Sequence, residues 1–115
     1  MVEVFTTDEF EAWYLGLNSR DGSAVYRVVT RLEEMGVNLN RPLSGDIKGT
    51  KLPMRELVIQ SQGKPLRVFY IFDITRDAVL LCGGDKTGDK RFYDRMVPIA
   101  EQIWKQYQKE QGRGK

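Results

Sequence analysis

The second half of the chain contains three short β-prone segments in close succession, and they restrict the possible folds more than any other sequence feature. Residues 54–60 alternate between apolar and polar side chains, which is typical of a strand with one buried face. Residues 67–72 and 78–82 are almost continuously apolar, as expected of central strands that are buried on both faces. Turn-forming residues at 62–65 and 74–77 separate the segments. We therefore predict an antiparallel meander of three adjacent strands.

Three other segments have the apolar spacing of amphipathic helices. Thr6 begins a capping-box sequence, so we expect the first helix to start there and to end near Asn18. The second helix follows a turn at residues 19–22, and Gly36 stands where its C-terminal cap is needed. The third helix is expected to be broken or kinked near Pro98, because proline has no amide hydrogen to donate. The apolar positions of the three helices are Phe10, Trp13, Tyr14 and Leu17; Val25, Val28, Val29, Leu32 and Met35; and Phe92, Met96, Ile99, Ile103 and Tyr107.

The order of these elements predicts an α+β fold. Val2 to Phe5 is short, apolar and β-prone, so it is expected to form a first strand, whereas residues 37–53 are interpreted as a long loop. The result is a small antiparallel sheet of about four strands, packed by an N-terminal helical hairpin and a C-terminal helix. The chain of 115 residues suits one domain, residues 1–110, followed by a flexible basic tail, residues 111–115.

The composition excludes several kinds of site. The chain has no histidine and a single cysteine, which excludes histidine-based catalytic triads, histidine-ligated zinc sites and clusters of several thiolates. Cys82 lies in an apolar segment and is interpreted as a small buried side chain. No apolar run approaches the ~18 residues of a membrane span, and no secretory leader pattern is present. We therefore expect a cytoplasmic protein without a membrane partner, and we expect no cofactor.

The charges are unevenly distributed although the formal net charge is only +2. Residues 1–15 carry four acidic and no basic side chains, whereas residues 41–67 carry six basic and two acidic ones and residues 85–115 carry eight basic and five acidic ones. The two basic segments would form a positive face for a polyanion if folding brings them together. Solvated loops and a lysine-rich tail are the alternative interpretation.

Several motifs together resemble the RelE/HigB family of toxins from bacterial type II toxin-antitoxin modules, and the likeness covers roughly residues 2–108. The motifs are RPLSGDIKG followed by MREL, then LRVFYIFDITRDAVLLCGGDKTG, then FYDRMVPIAEQIWKQY. The resemblance implies a RelE-like fold and a ribosome-dependent endoribonuclease that cuts mRNA in the decoding site and needs no metal. It also implies a cognate helix-turn-helix antitoxin of the HigA type, besides the ribosome and mRNA, as partners. Many family members have an arginine where this chain has Val58, which favours a non-catalytic module that binds a ribosome or an antitoxin as the alternative.

Three residues are candidates for catalysis. Without histidine, RNA cleavage would depend mainly on positioning and electrostatics, because an unperturbed lysine or tyrosine is a poor base at neutral pH. Arg67 opens the central strand and matches the family's arginine there, and its planar guanidinium can bracket a phosphate; an ordinary strand-end arginine is the alternative. Lys86 lies in GGDKTG, either as a phosphate contact or in a plain solvated turn. We assign Phe92 to the core and Tyr93 to the cleft, where Tyr93 would stack on a base or transfer a proton.

Five further basic residues are candidates for contacts to the RNA backbone, with surface decoration as the alternative for each. They are Lys48, Lys51, Arg55, Lys90 and Arg91. Arg55 would replace the basic residue missing at Val58 only if its face of the strand reaches the same cleft. A third reading of the whole chain is a small interaction module whose acidic N-terminal helix docks a basic partner.

Overall fold

A five-stranded sheet lies between two helical layers in the computed structural model, which describes residues 1–113. The strands are β1 (Val4–Thr6), β2 (Ser44–Asp46), β3 (Met54–Ser61), β4 (Lys64–Phe72) and β5 (Ala78–Asp85), in the spatial order β1-β5-β4-β3-β2. The helices are α1 (Asp8–Leu15) and α2 (Ser19–Met35) on one face of the sheet and α3 (Phe92–Arg113) on the other. None of the helices within residues 1–113 is long and apolar enough to cross a membrane.

The predicted α+β fold is confirmed, with one strand more than expected. β3, β4 and β5 form the antiparallel meander, and β1 adds to β5 in parallel. The additional strand, β2, lies inside the segment 37–53 that was interpreted as a loop. Its three residues, Ser44–Asp46, include no apolar side chain, so their strand conformation depends on pairing with β3 and carries no hydrophobic signal in the sequence.

Each face of the sheet has its own apolar core, because the side chains of a strand alternate between its two faces. On the α1–α2 face, helix residues such as Val25 and Leu32 pack against Leu57 and Val68, and all four are fully buried. On the α3 face, the helix packs against a second group of strand residues that includes Phe69, which is also fully buried. The sheet is therefore buried on both sides, as the continuous apolar runs predicted.

The boundaries of the first two helices differ from the prediction because asparagine and threonine side chains cap them. The Oγ1 of Thr7, and not that of Thr6, accepts a hydrogen bond from the Phe10 amide at 3.1 Å. α1 then ends at Leu15, before the expected Asn18. The side chain of Asn18 caps α2 instead, so residues 19–22 are its first turn and do not form a connecting turn. Gly36 follows α2 with a φ of 55°, the cap position predicted for it.

α3 continues through Pro98, so the predicted break is absent, whereas a kink at this position stays a prediction. Pro98 is exposed, so water can bind the Asp94 carbonyl, which is the one left without its usual amide partner. Ile99 is also exposed, at 45%, whereas Ala100 and Trp104 are buried on the face that packs against the sheet. α3 includes the first three residues of the predicted tail at 111–115, and residues 114 and 115 lie outside the described residues.

Candidate functional site

The predicted catalytic arginine lies inside a strand and not at its start. A two-residue turn, Gln62 and Gly63, connects β3 and β4, and both residues have positive φ angles, 52° and 76°, as in a hairpin turn of type I′. β4 therefore begins at Lys64, and Arg67 is its fourth residue. The register places Arg67 between Val58 of β3 and Gly84 of β5. The Gly84 α-carbon faces Phe92 and Met96, so Arg67 lies on the α3 face of the sheet.

Arg67 and Tyr93 converge on the carboxylate of Glu56. Tyr93, in the first turn of α3, donates a hydrogen bond from its hydroxyl to Oε1 of Glu56 at 2.7 Å. Nε of Arg67 lies 3.5 Å from the same oxygen, and Nη1 of Arg67 donates to the Leu66 carbonyl at 3.0 Å. Glu56 is 6% exposed, so its charge is buried with the guanidinium as partner.

Lys86 completes this cluster from the segment that follows β5. Its Nζ lies 5.1 Å from the centre of the Tyr93 ring, within the range of a cation–π contact. Its backbone amide donates to the Pro65 carbonyl at 3.0 Å, which holds the segment beside the start of β4. The structure therefore brings Arg67, Lys86 and Tyr93 together from a strand, a loop and a helix.

The site contains one buried donor atom that lacks an acceptor. Among residues 1–113, Nε of Arg67 is the one buried side-chain nitrogen or oxygen without a hydrogen-bond partner, because the 3.5 Å contact to Glu56 is too long to be a good hydrogen bond. Such unsatisfied groups are rare in folded proteins and are often found at functional sites. The unused donor therefore marks Arg67 as a candidate functional residue.

The surroundings of Tyr93 favour its neutral form. Burial raises the pKa of Tyr93 above its ordinary value of 10.0, and the hydrogen bond to the negatively charged Glu56 raises the pKa further, while Arg67 acts in the opposite direction. The hydroxyl therefore stays protonated at neutral pH. At this site Tyr93 is a hydrogen-bond or proton donor, and it is poorly suited to act as a base.

Glu56 is the member of the cluster that the sequence analysis did not single out. The alternation in residues 54–60 placed it on the polar side of β3, but not next to Arg67. That proximity depends on the register, in which Val58 faces Arg67 and Glu56 faces Phe69. The predicted turn at residues 62–65 was two residues too long. A two-residue turn at Gln62 and Gly63 would have given the correct register and indicated Glu56.

Arg55 lies on the opposite face of the sheet from Arg67. Its guanidinium pairs with Asp46 and donates hydrogen bonds to the Leu39 carbonyl at 3.0 Å and the Tyr70 hydroxyl at 3.3 Å. Arg55 therefore does not take the place of the basic residue that is missing at Val58. Its contacts hold β2 and the preceding loop against β3.

The four remaining candidates for RNA contacts are exposed and occupy two places. Lys90 and Arg91 directly precede α3 and are close to Tyr93 in the chain. Lys48 and Lys51 lie in the loop between β2 and β3, which is attached to the middle of α3 by a hydrogen bond of 2.6 Å from Thr50 to Glu101. That loop enters β3 at Met54, two residues before Glu56 of the cluster. Their contacts with RNA stay predictions.

Two observations concern metal binding and the cysteine. Within residues 1–113, no group of three histidine, cysteine, aspartate or glutamate side chains is arranged to hold a metal ion. Cys82 is buried, and burial raises the pKa of its thiol to about 12, so the thiol is protonated. It packs as a small apolar side chain, as predicted.

Comparison with known proteins identifies relatives along most of the chain. The family model described as "Phage derived protein Gp49-like (DUF891)" matches residues 12–105. A protein of Mycobacterium tuberculosis named as toxin HigB3 is 36% identical over 101 residues, covering 86% of this chain and 87% of that protein. A second one, named as toxin HigB2, is 30% identical over 103 residues, covering 87% of this chain and 51% of that protein.

Solved structures show the same fold at low sequence identity. A double arginine-to-alanine mutant of the Escherichia coli toxin RelE in the free state matches with a TM-score of 0.60 and 9% identity, covering 85% of this chain and 97% of that one. A copper-bound mutant toxin from Helicobacter pylori matches with a TM-score of 0.55 and 23% identity, covering 76% and 97%. The fold is therefore RelE-like. The family model and the HigB relatives show that the chain belongs to the Gp49-like family, within the RelE/HigB toxins.

Proposed function

We propose that this protein is the toxin of a type II toxin-antitoxin module and acts as a ribosome-dependent mRNA endoribonuclease that needs no metal. The observation that carries the proposal is that Arg67 and Tyr93 meet at the carboxylate of Glu56, with Nζ of Lys86 5.1 Å from the centre of the Tyr93 ring. Its relatives of the HigB type are named as toxins, which supports the same assignment.

The proposed roles follow from what RNA cleavage requires. The oxygen of a ribose 2′-hydroxyl must form a bond to the phosphorus in line with the bond that breaks, and its proton would pass to solvent water. Charge must be stabilised on the phosphorane, and the leaving 5′-oxygen must gain a proton. Arg67 would bind the scissile phosphate through its planar guanidinium group. Lys86 would offset the phosphate charge beside it. Tyr93 would donate its proton or a hydrogen bond to an oxygen of the reacting group, because its raised pKa keeps it neutral.

Dependence on the ribosome is part of the proposal. The chain has no histidine that could transfer protons near neutral pH, so the site would act mainly through positioning and charge. The ribosome would supply the missing positioning by holding the message in one conformation. We therefore expect free RNA to be cut much more slowly than a translated message, and the place of action to be the cytoplasm.

The test is inducible expression followed by mapping of new 5′ ends on translated messages. We expect cuts inside coding regions for the natural sequence and none for Arg67→Ala. Arg31→Ala is the control, because Arg31 is an exposed arginine of α2 whose ion pair, with Glu34, is on the surface. Thermal melting must show that both variants fold. Cleavage retained by Arg67→Ala would refute the catalytic assignment.

One observation favours a second candidate function, a RelE-like module that binds without cutting. Val58 faces Arg67 directly, at a position where many family members carry arginine, so one basic group of the cleft is absent. In this reading the natural protein binds ribosomes and produces no new 5′ ends. A Val58→Arg variant would then gain cleavage, whereas under the first proposal it would change an existing rate.

We also propose a cognate antitoxin of the helix-turn-helix, HigA-like type, encoded beside this chain. The antitoxin would act by covering the site around Arg67, Lys86 and Tyr93, or by displacing one of the elements that carry these residues. Co-expression of the two reading frames and purification through a tag on the toxin is the direct check. Separate elution of the two products at micromolar concentration would exclude a stable complex.

A further inference from the structure

A concave surface lies on the other face of the sheet from Arg67, between the first turns of α2 and the β3–β4 turn. It has a volume of about 400 Å³. We call it the α2 groove, and its main lining residues are Ser19, Arg20, Ser23 and Arg27 of α2 with Gln60 and Gln62 of the hairpin.

The α2 groove presents basic and neutral polar groups and no carboxylate. Arg20 and Arg27 are exposed, and neither forms an ion pair with any other residue in the described part of the chain. The nearest acidic residue, Asp21, is 3% exposed and turns inward, where it accepts hydrogen bonds from Ser61 and Lys64. The charges that reach the groove are therefore the two guanidinium groups, which are well suited to bind phosphate.

The two arginines share one side of α2. Arg20, Ser23 and Arg27 are spaced at i, i+3 and i+7, so they follow one another along a single helix face. The helix rise places Arg20 and Arg27 about 10 Å apart along the axis. This end of α2 also carries the positive end of the helix dipole. The arrangement suits an extended anion that has more than one phosphate.

The α2 groove and the Arg67 cluster lie at the same end of the sheet. Gln60 lies two residues beyond Val58, which faces Arg67 in the register, and this corresponds to about 7 Å along the strand. Lys86 is held beside Pro65, next to the same hairpin. A chain of phosphates that leaves the cluster can therefore pass around the β3–β4 turn to reach Arg20 and Arg27.

We propose that the α2 groove is a second RNA-binding surface, which binds backbone phosphates outside the scissile position. The inference rests on the proposed function for the identity of the polyanion, RNA, and it adds Arg20 and Arg27 as binding residues. It assigns them no part in the chemical step. Their expected role is to orient the protein on RNA, because phosphate contacts fix position and carry little sequence information.

The test compares two double variants of equal net charge, Arg20→Gln with Arg27→Gln and Arg31→Gln with Arg76→Gln. Arg31 and Arg76 are exposed and lie outside the groove. The probes are a fluorescent single-stranded 12-nucleotide RNA with 2′-O-methyl groups, which cannot be cut, and purified ribosomes. We expect the groove variant to bind about tenfold more weakly, and the salt dependence of its binding to the oligonucleotide to fall by about 1.4 in log–log slope, since each contact to a single strand contributes about 0.7.

The outcomes separate the possible sources of phosphate and the two proposals. Weaker binding to the oligonucleotide supports a contact with mRNA, and weaker binding to ribosomes alone supports a contact with ribosomal RNA. Equal affinities and salt slopes for the two double variants would overturn the inference. Because the probe cannot be cut, the binding measurement does not depend on cleavage. If the protein cleaves no message, the proposed function fails, but the α2 groove can still be shown to bind RNA. The double variant Arg20→Lys with Arg27→Lys keeps both positive charges, so it should bind RNA more tightly than the glutamine double variant and close to the natural protein. A purely structural role of the two arginines would not require this recovery.

Discussion

The two faces of the sheet each carry a buried carboxylate paired with a basic residue of β4, and the two pairs differ in how completely they are bonded. On the α2 face, Asp21 accepts hydrogen bonds from Lys64 and from the Ser61 hydroxyl, the latter at 2.7 Å. On the α3 face, Glu56 accepts one from Tyr93, but Nε of Arg67 stays 3.5 Å away and has no acceptor. The Arg67 side chain is also more buried than that of Lys64, 13% against 32% exposed.

The difference indicates what each pair does. A buried ion pair whose polar atoms are all bonded mainly holds elements together, here the start of α2 and the β3–β4 hairpin. A buried guanidinium with an unused donor is costly to the fold, and such unsatisfied groups are often found at functional sites. Changes at Glu56 and Arg67 should therefore alter function, whereas changes at Asp21 should alter stability.

The largest effect is expected from replacing the whole α3-face pair by apolar side chains, Glu56→Leu with Arg67→Met. Cleavage should fall at least about 10²–10³-fold because phosphate stabilisation is lost. The free energy of unfolding should stay the same or rise by about 1–4 kcal/mol, because exchange of a buried ion pair for apolar groups is often neutral or stabilising. Urea unfolding and 5′-end mapping on the same preparation measure both. A clear loss of stability would mean that this pair is structural, like its counterpart.

A smaller effect is expected from Tyr93→Phe, which keeps the ring beside Lys86 and removes only the hydroxyl. The cleavage rate should fall about tenfold, the equivalent of one lost hydrogen bond to a charged group. Since the pKa of Tyr93 lies above 10.0, its titration should not appear in the pH–rate profile of the natural protein between pH 6 and about pH 9. A tyrosine-dependent rise in rate within that range would show that Tyr93 acts as a base.

Asp21→Asn should have the reverse effect of the replacement at Glu56 and Arg67: it should lower stability and leave activity unchanged. It leaves Lys64 without its anion and weakens the bond to Ser61, so the melting temperature should fall while cleavage by the folded protein is unchanged. Glu34→Gln is the matched control, because the Arg31–Glu34 pair is half exposed and should contribute little. Equal melting temperatures for the two variants would remove the contrast between the two faces.

The smallest effect is expected in the acid dependence of unfolding. Hydrogen bonding from Lys64, then from Ser61, lowers the pKa of Asp21 below its ordinary value of 3.8 despite the opposing effect of burial. A lowered folded-state pKa stabilises the protein fully above about pH 5, and this contribution is lost as the pH falls through 3.8 toward the folded-state value. The slope of stability against pH in that window should be smaller for Asp21→Asn. An unchanged slope would assign the acid sensitivity to other carboxylates.

The sequence alone was sufficient for the fold class but not for the details that depend on pairing between strands. The meander and the helices could be predicted because the spacing of apolar side chains records which face of an element is buried. β2 could not, since Ser44–Asp46 are held by pairing with β3 and have no apolar pattern of their own. The caps provided by Thr7 and Asn18 were missed because two adjacent threonines, and an asparagine beside a serine, offered several possible starts.

The candidate site was predicted in part. Arg67, Lys86 and Tyr93 were selected through the family motifs, and the structure brings them together. Glu56 was missed because its place next to Arg67 depends on the register of β3 and β4. The turn predicted at residues 62–65 was two residues too long, so it did not give that register. Arg20 and Arg27 were missed for a different reason. They lie outside both basic segments of the chain, and only the packing of α2 against the β3–β4 hairpin makes them line one groove.

The parallel pairing of β1 with β5 also determines when the protein becomes competent during its own synthesis. β1 is the first strand to be made, and its partner is the last, so the sheet cannot be completed until residue 85 has been added. Lys86 and Tyr93 follow even later. A partly synthesised chain thus already carries Arg67 but lacks Lys86 and Tyr93. Under the proposed function, the nascent product therefore cannot cut the message that encodes it until α3 has emerged from the ribosome.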